Sequence, residues 1–501
     1  MVRITQPIPP VRSISKMYPP LKWLEMKVVI FSSAIVAAVL SAFFWWRGAE
    51  PGLEEAQTFL LLAMMLLLNV LPPLVEYLSN EFDPFDSKNL FLSWFFVVFT
   101  LSSISEICFG YYAKSGMVVL ELNERIQVRA LAAIVLGEAA FIAGGYTDLS
   151  ARIAVFFPRL PGFSRSRAVL VGTLCIGAGF STFYLLLASA GGISGFLGNL
   201  NNWRTEGVLG GVGYLIFPTT TVLPAGALLI YLRVLPAAPC KMTWSAYWAC
   251  LGVIVSGVPA MVLGFRVSLV PTLLAAFAIW NYRRRRFTLF ELITAGAIVL
   301  AALSIYGAER DKGSDDVHAQ SILDSIVYRT SGIDTVERVV RQMDRGERLR
   351  GLIPGAVESL TILIPRVIWP NKPETSGLAF DDIFFYDFYI NRGDPVTRIR
   401  SGISTTLIGE ELWTGGITMV VLGSLLLGLL TRVASAWRYQ GGILNLFVYS
   451  IFMSEFFLFV EAPQNTLNAF VMLGAMCTIV VVGLSVRLGR RHDPPSFKLG
   501  H

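Results

Sequence analysis

Arginines are the residues of this chain whose type and spacing could do chemistry. Between residues 307 and 411 a charged stretch interrupts an otherwise apolar sequence and carries Arg329, Arg366, Arg392, Arg398 and Arg400, with Lys372 six residues after Arg366. A guanidinium is a planar fork that makes paired hydrogen bonds to phosphate oxygens, so the stretch collects cations that could grip a phosphate. Arg398 and Arg400 alternate along a segment expected to be extended and so share a face, which Arg392 can join; the plainer reading is a solvated charged loop. Arg329 closes an expected helix, where an arginine also complements the helix dipole. Arg266 lies apart, between two apolar spans. An ionisable side chain at membrane depth costs at least ~2.5 kcal/mol by insertion scales, so it either faces a cavity or snorkels to the headgroups. Carboxylates stand at the same level: Glu410 and Glu411 before a span, and Glu461 in the short turn Glu461-Ala462-Pro463-Gln464-Asn465, with Asp381, Asp382 and Asp387 behind them.

The elements that must position these groups are transmembrane helices. Of 501 residues, 54% are hydrophobic and only 15% charged, against about a quarter charged in soluble domains. Apolar runs of bilayer-spanning length recur, giving an all-α polytopic membrane protein with about 12 transmembrane helices. They are expected near 27–46, 57–78, 89–111, 129–146, 168–190, 213–232, 244–263, 267–282, 287–306, 412–430, 442–460 and 466–486. Lys16, Lys22, Lys27, Arg152, Arg159, Arg165, Arg167, Arg283 to Arg286, Arg432, Arg438, Arg487, Arg490 and Arg491 mark one set of loops as cytoplasmic. The organisation is then a cytoplasmic segment 1–26, spans one to nine in 27–306, a large outer loop 307–411 between spans nine and ten, the last three spans in 412–486, and a cytoplasmic tail 487–501. The loops near 113–128, 191–212 and 461–465 also face out. The net charge of +6 reflects this orientation bias, and no basic stripe with stacking aromatics suggests nucleic acid. Five cysteines without a close pair argue against a disulfide framework or zinc site.

Within the outer loop, 319–329 reads as helical and Ser331-Gly332 breaks it. Ile333, Val336, Val340 and Met343 then mark one helical face, with Arg338, Arg341 and Arg345 opposite as an expected solvated face. Trp369 and a run of Phe and Tyr between 380 and 389 should lie at headgroup level. Glu106, Glu138 and Glu455 are intramembrane carboxylates that could pair with polar groups between helices.

The loop resembles the Wzy-type polymerases of O-antigen and related surface polysaccharides. The residues that carry the resemblance are Ile364-Pro365-Arg366-Val367-Ile368-Trp369-Pro370-Asn371-Lys372-Pro373, then Ile403-Ser404-Thr405-Thr406-Leu407-Ile408-Gly409-Glu410, then Gly415-Gly416. Upstream, Gly191-Gly192-Ile193-Ser194-Gly195-Phe196-Leu197 with Arg204, and Gly264-Phe265-Arg266, also look like family pieces. The likeness covers the second half of the chain, and the first half by topology. Where relatives have an aromatic-Gly pair before the penultimate spans, this chain has Trp413-Thr414-Gly415-Gly416.

The resemblance implies a GT-C-like fold in the bacterial inner membrane. It also implies a glycosyltransferase that polymerises undecaprenyl-diphosphate-linked oligosaccharide repeat units at the periplasmic face. In such a reaction negative charge builds on the departing diphosphate, so fixed cations are the useful element. Arg266 and Arg366 are then the expected catalytic cations, and Arg204, Arg329, Lys372, Arg392, Arg398 and Arg400 the diphosphate-binding ones. No metal or other cofactor is expected. Glu410 and Glu461 are candidates to accept the proton of the attacking hydroxyl, or else to cap helices and pair with a nearby arginine. Expected partners are the lipid-linked glycans and the bilayer, with a chain-length regulator protein as a candidate. Two rival readings remain open. One is an O-antigen ligase-like transferase, disfavoured because only His318 of three histidines lies outside. The other is a lipid-linked oligosaccharide flippase, which would hold substrate charges at the membrane midplane.

Overall fold

The computed structural model describes residues 20–79, 81–109, 124–160, 164–189, 215–236, 240–262, 269–288, 332–346, 349–351, 405–440 and 442–456, with isolated positions besides. These residues are helical, with no strand among them. Seven helices are long and apolar enough to cross a membrane: Glu25–Arg47, Glu54–Leu78, Ser87–Cys108, Glu124–Gly145, Arg165–Ser189, Trp244–Val262 and Leu407–Gln440. The chain is a multi-pass, all-helical membrane protein. Of the other expected spans, 213–232 contains a π segment, Pro218–Val222, followed by Leu223–Val234. Spans 267–282 and 442–460 correspond to the shorter Leu269–Arg283 and Ile443–Phe456. Spans 287–306 and 466–486 lie almost wholly outside the described residues.

We name the helices α1 (Pro20–Arg47), α2 (Glu54–Leu78), α3 (Ser87–Phe95), α4 (Ser102–Phe109), α5 (Glu124–Gly145), α6 (Leu149–Ala154), α7 (Arg165–Ser189), α8 (Leu223–Val234), α9 (Trp244–Val262), α10 (Leu269–Arg283), α11 (Ile333–Asp344), α12 (Leu407–Gln440) and α13 (Ile443–Phe456). A π segment, Phe96–Leu101, joins α3 to α4. Peripheral helices are apolar all round because lipid, not water, covers their outer face. In α1, Ile30, Ala34, Ala37, Ser41 and Phe44 turn inward at three- to four-residue spacing, while Val29, Val36, Val39 and Trp46 stay exposed.

The centre of one half is α5, which packs on α1, α2, α11 and α12. Residues 130–135 of α5 are completely buried. Small residues let it approach α12 backbone to backbone: a Cβ on Gly144 would sit 2.1 Å from the Leu425 carbonyl oxygen, and one on Gly428 2.1 Å from that of Phe141. Lipid tails are as apolar as the helices, so close packing of this kind, rather than hydrophobic collapse, holds membrane helices together. A second group, α7 to α10 with α13, has its own core around Leu228, Leu232, Ile279 and Phe447. Its α7–α8 pair repeats the device, with Gly172 and Gly226 facing each other's carbonyls.

Besides the π segment Pro218–Val222, two departures from regular helix lie against the α11 segment. One is the π segment after α3. The other is a break in α12 at Gly415 (φ −155°) and Gly416 (φ 67°, ψ −162°). The Gly416 conformation is essentially confined to glycine.

Candidate functional site

The described parts of residues 307–411 converge on these two irregularities. The N–H of Gly332, just before α11, donates to the Val98 carbonyl of the π segment at 3.0 Å. Glycine is needed there, because a Cβ would meet the Phe99 ring and Val98 at 2.8 Å. Ile333, Val336, Val339 and Val340 of α11 are completely buried in the core of the α5 half. Arg129 of α5 pairs with Asp344 at the far end of α11 and stacks on Trp45, 4.7 Å from its ring centre. The Thr335 hydroxyl lies 2.8 Å from that of Thr406, which stands at φ 56° immediately before α12. A β-branched residue at positive φ is a strained position that the surroundings must hold.

The start of α12 is tied from two sides. The Leu407 N–H donates to the Val460 carbonyl at 2.8 Å. The Arg350 N–H donates to the Trp413 carbonyl at 2.9 Å, just before the break, while the Arg350 guanidinium donates to Glu410 Oε1 at 3.0 Å and lies 5.2 Å from the Trp413 ring centre. The other Glu410 oxygen, Oε2, accepts from the Thr405 hydroxyl at 2.5 Å. Glu411 bridges the break: its Oε2 accepts from Ser424 at 2.9 Å, and a Cβ on Gly423 would collide with its Oε1 at 2.3 Å.

Of the residues the sequence singles out for chemistry, this structure describes Glu410 and Glu411; Glu411 is held by Ser424, and Glu410 is the candidate proton acceptor. It is engaged by Arg350 and Thr405, the pairing that the sequence reading left open beside proton acceptance. Arg204, Arg266, Arg329, Arg366, Lys372, Arg392, Arg398, Arg400 and Glu461 lie outside the described residues, as do Asp381, Asp382 and Asp387. One expectation needs correction. α11 is a helix with the predicted apolar face, but its arginine face is not simply solvated. Arg338 is 8% exposed and pairs with Asp334 of the same buried face, Nε to both carboxylate oxygens at 3.2 Å; Arg341 is half-buried and only Arg345 is exposed. Glu337, on the same helix, is 4% exposed, and its Oε1 has no hydrogen-bond partner. Burial, then the charges of Glu106 and Asp334, push its carboxyl well above the usual carboxylate range, against the pull of Arg341 and Arg338. Nothing in the sequence flagged Arg350.

A second polar cluster lies at the opposite end of the bundle. Lys88 pairs with Glu76, which also accepts from Tyr146 at 2.9 Å and Asn89 at 2.9 Å. Arg438 pairs with Asp83 at 3.3 Å and lies within 4.6 Å of the ring centres of Tyr282, Tyr439 and Tyr449. Arg432 approaches Asp86 at 3.6 Å. The cluster lines a cavity of about 70 Å³, and its ion pairs tie α2 to α3, and α12 to the turn before α3. We read it as a structural clasp.

Set beside known proteins, the chain matches no family model, no curated protein and no solved structure.

Proposed function

We propose that the protein is a membrane glycosyltransferase that joins lipid-diphosphate-linked oligosaccharide repeat units into a surface polysaccharide. The observation that carries this reading is the docking of the outer loop. Its described parts, α11 and Arg350, seat where two helices of an apolar bundle are irregular, and Arg350 braces the broken helix at Glu410 and Trp413. An arginine-rich loop held over the mouth of a helix bundle suits a substrate with its lipid tail in the bilayer and its diphosphate at the surface. The string from Ile364 to Pro373 lies in that loop. Charge asymmetry supports placing this end at the outer face of a bacterial inner membrane, since Arg283 to Arg286 follow α10 at the other end.

In this reading, Arg266, Arg366 and the neighbouring cations hold the departing diphosphate, and the full complement is about 12 spans in a GT-C-like arrangement. No step calls for a metal. The concentration of cations in the loop, rather than at mid-bundle, favours transfer over flipping. The test is the purified protein in lipid nanodiscs with synthetic undecaprenyl-diphosphate repeat units. A ladder of products supports polymerisation. A single transfer to a foreign lipid indicates a ligase, and relocation without bond formation a flippase.

A further inference from the structure

Glu337 stands out among the buried carboxyls that meet the outer loop. On its own helix, Asp334 is spent on Arg338 at 3.2 Å and Thr335 on Thr406 at 2.8 Å. On the elements packed against α11, Arg129 of α5 is taken by Asp344, and Glu410 of α12 is held by Arg350 and Thr405. Glu106 of α4 faces Glu337 as a like charge, and Arg338 and Arg341 are the cations that act on it. Glu337 keeps a buried oxygen, Oε1, with no hydrogen-bond partner. A buried polar group left unsatisfied costs stability, so one that persists calls for a reason outside packing.

We propose that Glu337 is the proton acceptor at this end of the bundle, the carboxylate that receives the hydroxyl proton of the acceptor glycan during transfer. This rests on the function proposed above. An oxygen lone pair of the acceptor hydroxyl forms the new bond to the anomeric carbon of the donor. Its proton passes to Glu337, and the electron pair of the broken carbon–oxygen bond leaves with the lipid diphosphate. The cationic loop serves the leaving group, and the α11 face supplies the base. A general base is most effective when its proton affinity is tuned toward the working pH, and burial beside Glu106 moves Glu337 in that direction.

The test compares wild type, Glu337→Gln and Glu337→Asp in nanodiscs with synthetic lipid-linked repeat units. Glu337→Gln should fold with an unchanged or higher Tm, lose about 100-fold or more in kcat as general-base variants do, and keep its KM. The acid limb of its pH–rate profile should vanish, and Glu337→Asp should recover part of the rate. If wild type polymerises and Glu337→Gln keeps at least half its activity, the inference is overturned. An infrared titration separates this from the function itself. Wild type should show a protonated-carboxyl band that disappears on raising the pH and is missing from Glu337→Gln. If wild type makes no polymer, the proposed function falls, while that band still upholds an exchangeable proton on Glu337. A missing band overturns the inference whatever the activity.

Discussion

Arg350 and Glu410, sixty positions apart, form an ion pair at 3.0 Å with both side chains about nine-tenths buried. The Arg350 backbone also reaches the Trp413 carbonyl, so a single loop residue holds the first two turns of α12 against the break. Removing one partner strands a buried charge. Arg350→Ala and Glu410→Ala should each destabilise the protein by about 3–5 kcal/mol. The double variant should cost less than their sum, as a double-mutant cycle on thermal unfolding in detergent would show.

The two glycines of the break should respond differently. Gly416 sits at φ 67°, ψ −162°, a region that side chains avoid, so Gly416→Ala should cost about 1–3 kcal/mol. Gly415 has an ordinary extended φ, and an added Cβ would only press on the Met419 side chain at 3.0 Å. Gly415→Ala should therefore be the milder change, judged by Tm and by yield of folded protein.

Contact between α5 and α12 predicts a sharp positional contrast. At Gly144 a Cβ would strike the Leu425 backbone, which no rotamer change relieves, whereas at Gly177 of α7 nothing lies within 4 Å. Gly144→Ala should cost about 1–3 kcal/mol or more by overpacking. Gly177→Ala should be neutral or slightly stabilising, since alanine is the better helix former. Parallel melts of the two variants check this.

Glu138, in the middle of α5, is completely buried and neither carboxyl oxygen has a hydrogen-bond partner. A helix position that gains nothing from its polar group should accept an apolar residue of similar size. Glu138→Met should raise stability by about 1–3 kcal/mol, measured as Tm in detergent.

Acid should loosen the other end of the bundle. Burial alone would raise the carboxyl of Asp86; Lys88, Arg432 and Arg438, together with the Lys88 N–H, hold it below its ordinary 3.8. Its proton is bound more weakly in the folded chain than in the unfolded one. The associated stability is complete above 3.8 and is lost as pH falls through the lower folded value. Tm should drop on acidification below about pH 4, and Asp86→Asn should flatten that part of the curve.

Much of this architecture is legible in the sequence, and the reasons for the rest are physical. Apolar length alone locates α1, α2 and α5, and the inward spacing from Ile30 to Phe44 is readable as a face. The third span is expected from 89 and begins two residues earlier, because its cap is Asp86, whose side chain accepts the Lys88 N–H. Periodicity also finds α11, since Ile333, Val336 and Val340 recur at helical spacing. It cannot say what covers the opposite face, which is why Arg338 reads as solvated and is buried. Glu337 and Arg350 are invisible for a related reason: their environment is made by residues distant in sequence. The π segment at Phe96–Leu101 has no composition of its own, because it is a change in hydrogen-bond register. Gly415-Gly416 is visible as a glycine pair, yet only the backbone shows that the helix reverses its local geometry there.

Beyond α11 the chain passes Arg350 and enters α12 from Thr405, and both residues meet on Glu410. A chain pinned at both ends to one side chain has its closure already settled. For such a segment, doubling the number of residues adds only about 0.6 kcal/mol in closure entropy. Doubling the length of residues 351–404 would therefore add only that closure cost, provided the Arg350–Glu410 buckle stays fastened.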